Sequence, residues 1–475
     1  MKTKKTPLYV DLDGTLLAGD SLHEALARLL RVPSAWLQAV KALVRGKAAF
    51  KQVVSTRASV GTDSLPYRRN FLKWLVQERK AGRSLILATG ADRAMAERVA
   101  DWLGIFDDVL ASDGVRNLTG KCKLEAIRLH ASGRPFAYAG DGPVDIPIFN
   151  EAASVVLVGR AANMDFGSPA LCIEASFASP HNSAAGLIQL LRPHQWAKNI
   201  LVFLPAAAAH RLLDASIMLP LVGLFLAFSL CASGVYAFND ILDLAHDRSH
   251  EHKRYRPLAS GAVTLFVGLA LSIFLPLASL AVAWLFAGAA AVMMLGAYWA
   301  VTTYYSLHGK RVPLLDVFLL AGLYTFRSFA GALPVPTGIS VWMAAFLLFL
   351  FLSLACLKRF SELNALPEEH DGRVLGRGYR RDDKTLMGSL GIGAAFASTL
   401  VLCLYVASPG VGVMYGQPLY LMGMAPVVLF GLARFWLQAS RGRVHADPVV
   451  HAMRDSASYL LILLCFACML LATFG

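Results

Sequence analysis

Hydrophobic and polar positions divide the chain near residue 190. Beyond it, apolar runs follow one another, most of them about 18 residues or longer, enough for a helix to cross a bilayer core of about 30 Å. The pattern predicts nine membrane helices, at about 195–210, 216–238, 262–283, 285–306, 314–333, 340–358, 386–408, 418–438 and 455–474. Nothing polar separates the third from the fourth, because 262–306 carries no charge. Before the divide the pattern changes. Short apolar runs of strand length, at "PLYV", "SLILATG" (84–90), "DVLAS" (108–112), "FAYAGD" (136–141) and "SVVLVG" (154–159), alternate with helical stretches. That alternation predicts a Rossmann-like α/β domain with a parallel sheet over residues 1–180. A helical insertion after the first strand, about 18–80, would cap the carboxyl ends of the strands. Residues 181–194 read as a linker and an amphipathic helix on the membrane surface, and 195–475 as an all-α membrane domain.

Charge sets the expected orientation. Arg248, Lys253, Arg254 and Arg256 follow the second span, and Lys310 and Arg311 the fourth. A long basic segment from Lys358 to Lys384 follows the sixth, and Arg441, Arg443 and Arg454 follow the eighth. The alternate loops carry only Arg211, so the positive-inside rule places the basic loops, the N-terminus and the soluble domain in the cytoplasm of a bacterial inner membrane. The C-terminus then lies outside, which requires an odd number of spans. The opening "MKTKKTPLYV" runs straight into a strand, and no signal peptide is expected there. The 475 residues are 56% hydrophobic with a formal charge of +13, and the basic residues cluster at membrane edges. Nucleic-acid binding, which needs them on a folded soluble face with aromatics between, is not expected. The seven cysteines lie mostly in apolar context, including the Cys465–Cys468 pair, and read as small packing residues.

The second span ends in "NDILDLAHDRSHEHKRYRP". Asp240, Asp243 and Asp247 recur at three and four residues, so a helix would set them on one face, with Asn239 and His250 beside them. Like charges so placed repel unless a divalent cation sits among them. Magnesium suits the arrangement: protein carboxylates supply part of its octahedron, water and a phosphorylated substrate the rest. Lys253 and Arg256 downstream can neutralise further phosphate charge. Arg327 interrupts the fifth span, where a cation must face a cavity or a partner.

The segment from Asn239 to Asp247 resembles the first aspartate-rich motif of the UbiA-type intramembrane prenyltransferases, and the resemblance covers about 190–475. It implies nine helices around a lipid-accessible cavity holding a magnesium-diphosphate substrate. "RPHQWAKN" (192–199, with Lys198 and Asn199), the extension through His250, Lys253 and Arg256, "DVFLLAGLYTFRSFAGA" (316–332) and "KRFSEL" (358–363) resemble more narrowly the decaprenyl-phosphate phosphoribosyltransferase branch. In that branch the donor is phosphoribosyl pyrophosphate and the acceptor a polyprenyl phosphate. Where aromatic prenyltransferases carry a second acidic cluster, this chain has Lys358, Arg359 and the single acid Glu362, though "PEEHD" (367–371) offers acids nearby. Arg327 would clamp either the lipid phosphate or the ribose 5-phosphate, and Tyr379 would reach the sugar. Asp240, Asp243, Asp247 and Asn239 would hold one magnesium ion.

In the soluble part the polar exceptions fall at strand ends: Asp11, Asp13, Thr89, Asp141 and Asp145. With DxDGT, a strand ending Thr-Gly, a lysine and GDxxxD, residues 6–180 resemble the haloacid-dehalogenase-like phosphohydrolases. The resemblance implies Asp11 as nucleophile, Asp13 as general acid and base, Thr89 on the phosphoryl oxygens, and Lys123 or Lys121 balancing charge. Asp11, Asp13 (through its carbonyl), Asp141 and Asp145 would hold or support a second magnesium ion. Fusion of the two predicts a transferase whose product, still bearing the ribose 5-phosphate, is dephosphorylated on the same chain. Two rivals are a prenyltransferase with an aromatic acceptor and an unrelated phosphatase, and a transporter or anchor for a phosphatase. Oligomeric state is left open.

Overall fold

The computed structural model describes the chain apart from residues 1–5, most of 30–60, 114–115, 165–171, 179–182, 367–376, 445–447, 453 and 475. It forms two compact units: Met1–Leu191 with Tyr236–Ile273, and Arg192–Val235 with Phe274–Gly475. The segment carrying the aspartate cluster therefore packs with the first unit.

That unit is built on a six-stranded, all-parallel sheet: β1 (Leu8–Val10), β2 (Leu85–Asp92), β3 (Asp108–Ser112), β4 (Ala137–Gly140), β5 (Ser154–Gly159) and β6 (Ile173–Ala178). Their order is β3-β2-β1-β4-β5-β6. The two middle strands, β1 and β4, are buried at every position because helices cover both faces. Leu8 and Val10 enter one core with Leu87, Phe71 and Val99; Tyr9 enters the other with Ile127, Tyr138 and Phe149. Five of the strands are those the alternating pattern predicts. The sixth is absent from that reading because β6 is an edge strand, four of its six residues exposed, with Glu174 and Ser176 on it. Tertiary contacts hold it: the buried Arg83 is bidentate to Glu174 (2.8 and 3.1 Å) and also bonds Glu78 (3.0 Å).

Of the expected cap, α1 (Ser21–Leu29) is described, and most of its basic positions lie outside the described residues. Ala27 of α1 shares an apolar cluster with Leu190, Ala237, Ile241, Leu244, Leu258 and Val263. Leu190 comes from α2 (Ala184–Leu191), at the position of the expected amphipathic helix.

Among the described residues seven helices are long and apolar enough to cross a membrane: Ala215–Leu242, Leu265–Leu307, Leu315–Ala332, Val341–Asn364, Asp383–Val406, Pro418–Ser440 and Ser456–Phe474. The expected count of nine differs at two places. Leu265–Leu307 spans both the third and fourth expected helices; its 43 residues would reach about 64 Å at 1.5 Å per residue. Gly288, at φ 76° and ψ −168°, breaks the winding inside it, a conformation natural to glycine. The first expected span is instead a tight 3₁₀-type segment, Pro193–Phe203, followed by the short helix Leu204–Ala208. Prolines at the start of both pieces remove a backbone donor each and interrupt a regular α-helix. Outward-facing Phe274, Leu285, Phe396 and Leu463 stay exposed on the long helices, as a lipid environment requires. Gly331, in Leu315–Ala332, lets that helix press on the Pro193–Phe203 segment: a Cβ there would lie 1.8 Å from the Val202 carbonyl oxygen.

Candidate functional sites

β1 delivers Asp11 to the carboxyl end of the sheet, and the chain then turns through Asp13 and Gly14. Gly14 has φ 75°, and a Cβ on it would lie 2.3 Å from Asp141, so the turn closes directly on the β4 loop. Arg68 fixes it by donating twice to the Gly14 carbonyl (3.1 and 3.0 Å). Lys123 is buried on its helix while Lys121 is exposed, and Lys123 is the one that meets the aspartates. Lys123 Nζ lies 2.8 Å from Asp11 Oδ2 and 3.5 Å from Asp145 Oδ1, and donates to the Tyr138 hydroxyl (3.0 Å). Tyr138 in turn donates to Asp145 Oδ1 (2.7 Å). Thr89 is fully buried in the second half of β2, and its hydroxyl accepts from the Ala91 amide. Asp11, Asp13, Lys123, Asp141 and Asp145 come together here, and Arg68, Tyr138 and Ser21 join without any motif to announce them.

Burial pushes the Asp11 carboxyl up to about 6 against the pull of Lys123. Burial, with Asp20 adding like charge, pushes Asp13 up to about 8. Burial would lower the Lys123 pKa, but Asp11 and Asp145 outweigh it and the ammonium is held above its usual range. Asp13 Oδ1 accepts from the Ser21 amide (2.7 Å), with the Ser21 hydroxyl 3.2 Å from Oδ2. Carboxylate oxygens of Asp11, Asp141 and Asp145 lie within 4.8 Å of one another. Three hard oxygen donors at that spacing fit a magnesium ion.

The aspartate cluster after Ala215–Leu242 is arranged differently. Asp240 and Asp247 are buried, and Arg256 Nη1 reaches both, at 3.2 and 2.7 Å. Among the described residues these acids do not close to the spacing of the Asp11 group. The expected carboxylate stripe thus exists, but a guanidinium of the chain lies between two of its members. Arg256, expected to meet phosphate, serves here as the counterion that like-charged buried carboxylates need. Asp243 is half-exposed and stands at the residue before the short helix Leu244–Ser249. Asn239 Oδ1 is buried without a hydrogen-bond partner. An orphaned oxygen acceptor beside Asp240 and Asp247 is a donor set of the kind magnesium takes. His250 accepts from the His252 amide, and Lys253 opens a 3₁₀ turn after it.

In the second unit, Asn199 and Arg327 meet although 128 positions apart. Arg327 Nε donates to Asn199 Oδ1 (2.8 Å), Nη2 to the Tyr298 hydroxyl (2.7 Å) and Nη1 to the Leu323 carbonyl (2.7 Å). The guanidinium lies over the rings of Tyr298 and Tyr324, and the Lys198 ammonium lies 5.6 Å from the Tyr324 centroid. Asn199 Nδ2 is held by Ser229 (3.0 Å). Arg359, by contrast, is engaged by protein: Asp316 accepts from its Nε and Nη2, and Glu362 pairs with its Nη1 at 2.5 Å. Tyr305 and Arg377 complete that network. Asp316, fully buried, escaped the sequence reading because a single acid at a helix start looks like ordinary capping. Tyr379 is also buried, its hydroxyl accepting from the Leu314 amide (3.0 Å). Lys358 is half-buried on the same helix as Arg359, and 367–371 lies outside the described residues.

An α/β fold with a strand-end aspartate set and a multi-pass helical part with a second aspartate cluster define a membrane enzyme fused to a hydrolase-type domain. The chain belongs to the UbiA prenyltransferase family, whose model matches residues 200–454, and it carries a haloacid dehalogenase-like hydrolase domain over 8–150. An uncharacterized protein of Sinorhizobium fredii is 34% identical over 463 residues, covering 96% of this chain and 89% of its own. The decaprenyl-phosphate phosphoribosyltransferase of Corynebacterium glutamicum is 27% identical, over 62% of this chain and 89% of its own. A UbiA homolog from Archaeoglobus fulgidus, solved with GPP and Mg2+, aligns at 17% identity and a TM-score of 0.46 over 60% of this chain and 99% of its own.

Proposed function

We propose that the membrane part transfers a 5-phosphoribosyl group from phosphoribosyl pyrophosphate to a polyprenyl phosphate, and that the soluble domain removes the 5-phosphate to leave polyprenyl-phosphoryl ribose. The observation that carries the transferase reading is Arg327, a buried cation within a span whose hydrogen bonds all go to neutral groups. A guanidinium held that way gains most from an anion brought by the substrate. The likeness to a decaprenyl-phosphate phosphoribosyltransferase supports the choice of donor and acceptor. The lipid phosphate, already an anion, attacks the anomeric carbon as pyrophosphate leaves. Asp240, Asp243, Asp247 and Asn239 would hold one magnesium ion and Asp11, Asp141 and Asp145 another, each supplying charge neutralisation to the phosphate it meets. Lys198, Asn199 and Arg327 orient the anionic end of a substrate, and Lys253 and His250 lie beside the aspartates for the diphosphate.

In the soluble site Asp11 attacks phosphorus, Thr89 and Lys123 hold phosphoryl oxygens, and Asp13 gives its proton to the departing hydroxyl before activating water. We place the N-terminus inside and the C-terminus outside a bacterial inner membrane with nine crossings. Gly288 would separate two of them, and Pro193–Ala208 would supply another.

Purified protein given both substrates should release pyrophosphate and inorganic phosphate. Asp243→Ala should lose pyrophosphate release by at least about a hundredfold while remaining membrane-inserted. Asp11→Asn should stop at the phosphorylated lipid, seen by mass spectrometry. Equal inorganic phosphate from Asp11→Asn sinks the coupled scheme; consumption of a polyprenyl diphosphate with an aromatic acid instead would mark an aromatic prenyltransferase.

A further inference from the structure

The first unit contains a contact that neither activity requires. Arg248, the residue after Asp247, turns its guanidinium onto α1 of the hydrolase domain. Nη1 and Nη2 grip the two carboxylate oxygens of Glu24 at 2.8 and 2.6 Å. Nη1 also donates to the Ser64 carbonyl (3.0 Å), and Nε to the Ala259 carbonyl (3.1 Å), so each guanidinium nitrogen is engaged. Arg28, one turn beyond Glu24, donates to the Ser64 hydroxyl (2.9 Å). The pair is nearly closed to solvent, with side-chain exposures of 10% for Arg248 and 4% for Glu24. Gly261 completes the fit: at φ 77°, a Cβ on it would lie 2.7 Å from the Ala18 Cβ. Ala27 and Leu258 close the apolar side.

The position of Glu24 gives the contact its meaning. Three residues earlier, Ser21 opens α1 and holds both oxygens of Asp13. A rigid turn of helix therefore links the Arg248–Glu24 pair to the proton donor of the phosphatase. We propose that Glu24 and Arg248 are positioning residues for Asp13, so that the aspartate-rich segment 239–256 forms the seat on which the phosphatase aligns its acid. The inference rests on the reading of Asp13 as general acid. In the step concerned, Asp11 Oδ bonds to phosphorus as the phosphorus–oxygen bond to the sugar breaks. The leaving oxygen takes the proton of the Asp13 carboxyl, which becomes carboxylate.

A misplaced acid has a chemical signature that a loosened fold lacks. Ribose 5-phosphate expels a poor alkoxide leaving group and needs the proton; p-nitrophenyl phosphate expels a stable phenolate and needs it far less. Full-length Arg248→Ala and Glu24→Gln should lower kcat for ribose 5-phosphate by on the order of tenfold to a hundredfold, with KM little changed. Hydrolysis of p-nitrophenyl phosphate should stay within about threefold of the parent. The double exchange Glu24→Arg with Arg248→Glu should recover part of the loss. Equal losses on both phosphates, or none on either, overturn the positioning role, whatever amide exchange shows for residues 21–29. If Asp11→Asn hydrolyses both phosphates like the parent, the phosphatase reading itself fails and takes this inference with it. A parent that cleaves only p-nitrophenyl phosphate fails the ribose 5-phosphate reading alone, and an alkyl phosphate that it does cleave then serves as the poor-leaving-group arm.

Discussion

At the scale of single residues, two carboxyls two positions apart are given different surroundings, which suit the opposite tasks we propose for them. Asp11 touches the Lys123 ammonium, which favours its charged form; Asp13 has Ser21 on one side and the like charge of Asp20 nearby. A carboxyl raised to about 8 keeps its proton at pH 7, which a general acid needs, and loses it as pH rises. Hydrolysis of an alkyl phosphate should therefore decline above about pH 8, approaching tenfold per unit, whereas a substrate with a phenolate leaving group should decline less. Measuring kcat from pH 6 to 9.5 on both tests the sign; a limb that rises through pH 8 on the alkyl phosphate would contradict it.

At the scale of elements, the polar cluster of the membrane part depends on close backbone approach. Asn199 reaches Arg327 because Gly331 lets Leu315–Ala332 lie against the carbonyl of Val202, with Ser328 adding a bond to the Leu201 carbonyl (3.2 Å). Gly331→Ala should force the two segments apart, costing about 1–3 kcal/mol of stability. It should also weaken transfer, since Arg327 would lose its hold on Asn199. Thermal unfolding in detergent and pyrophosphate release measure the two effects; an unchanged midpoint would show that the helix yields without strain. The buried network of Arg359, Asp316, Glu362 and Tyr305 works in the same way, joining helices rather than presenting a free cation.

At the scale of the molecule, the topology we propose rests on the distribution of Lys and Arg. A protease-sensitive tag placed after Gly475 should be cleaved by protease added outside intact spheroplasts, and the same tag ahead of Pro7 should be protected. Protection of both would mean an even number of crossings and would remove either Pro193–Ala208 or the break at Gly288 from the count.

The outline of the protein was legible in its order of residues. Short apolar runs ending in Asp11, Thr89 and Asp141 declare a parallel sheet and the acid-lined edge we propose as its site, because strand period and strand-end chemistry are local properties. Long apolar runs declare membrane helices for the same reason. What the order of residues left open was settled by contacts between distant positions. Burial set Lys123 rather than Lys121 against the aspartates, Arg83 recruited β6 to the sheet edge, and Arg256 took a place between Asp240 and Asp247. Asn199 found Arg327 across 128 positions, and Arg248 found Glu24 across 224. Periodicity encodes which face a side chain takes; only packing decides which charge it meets there.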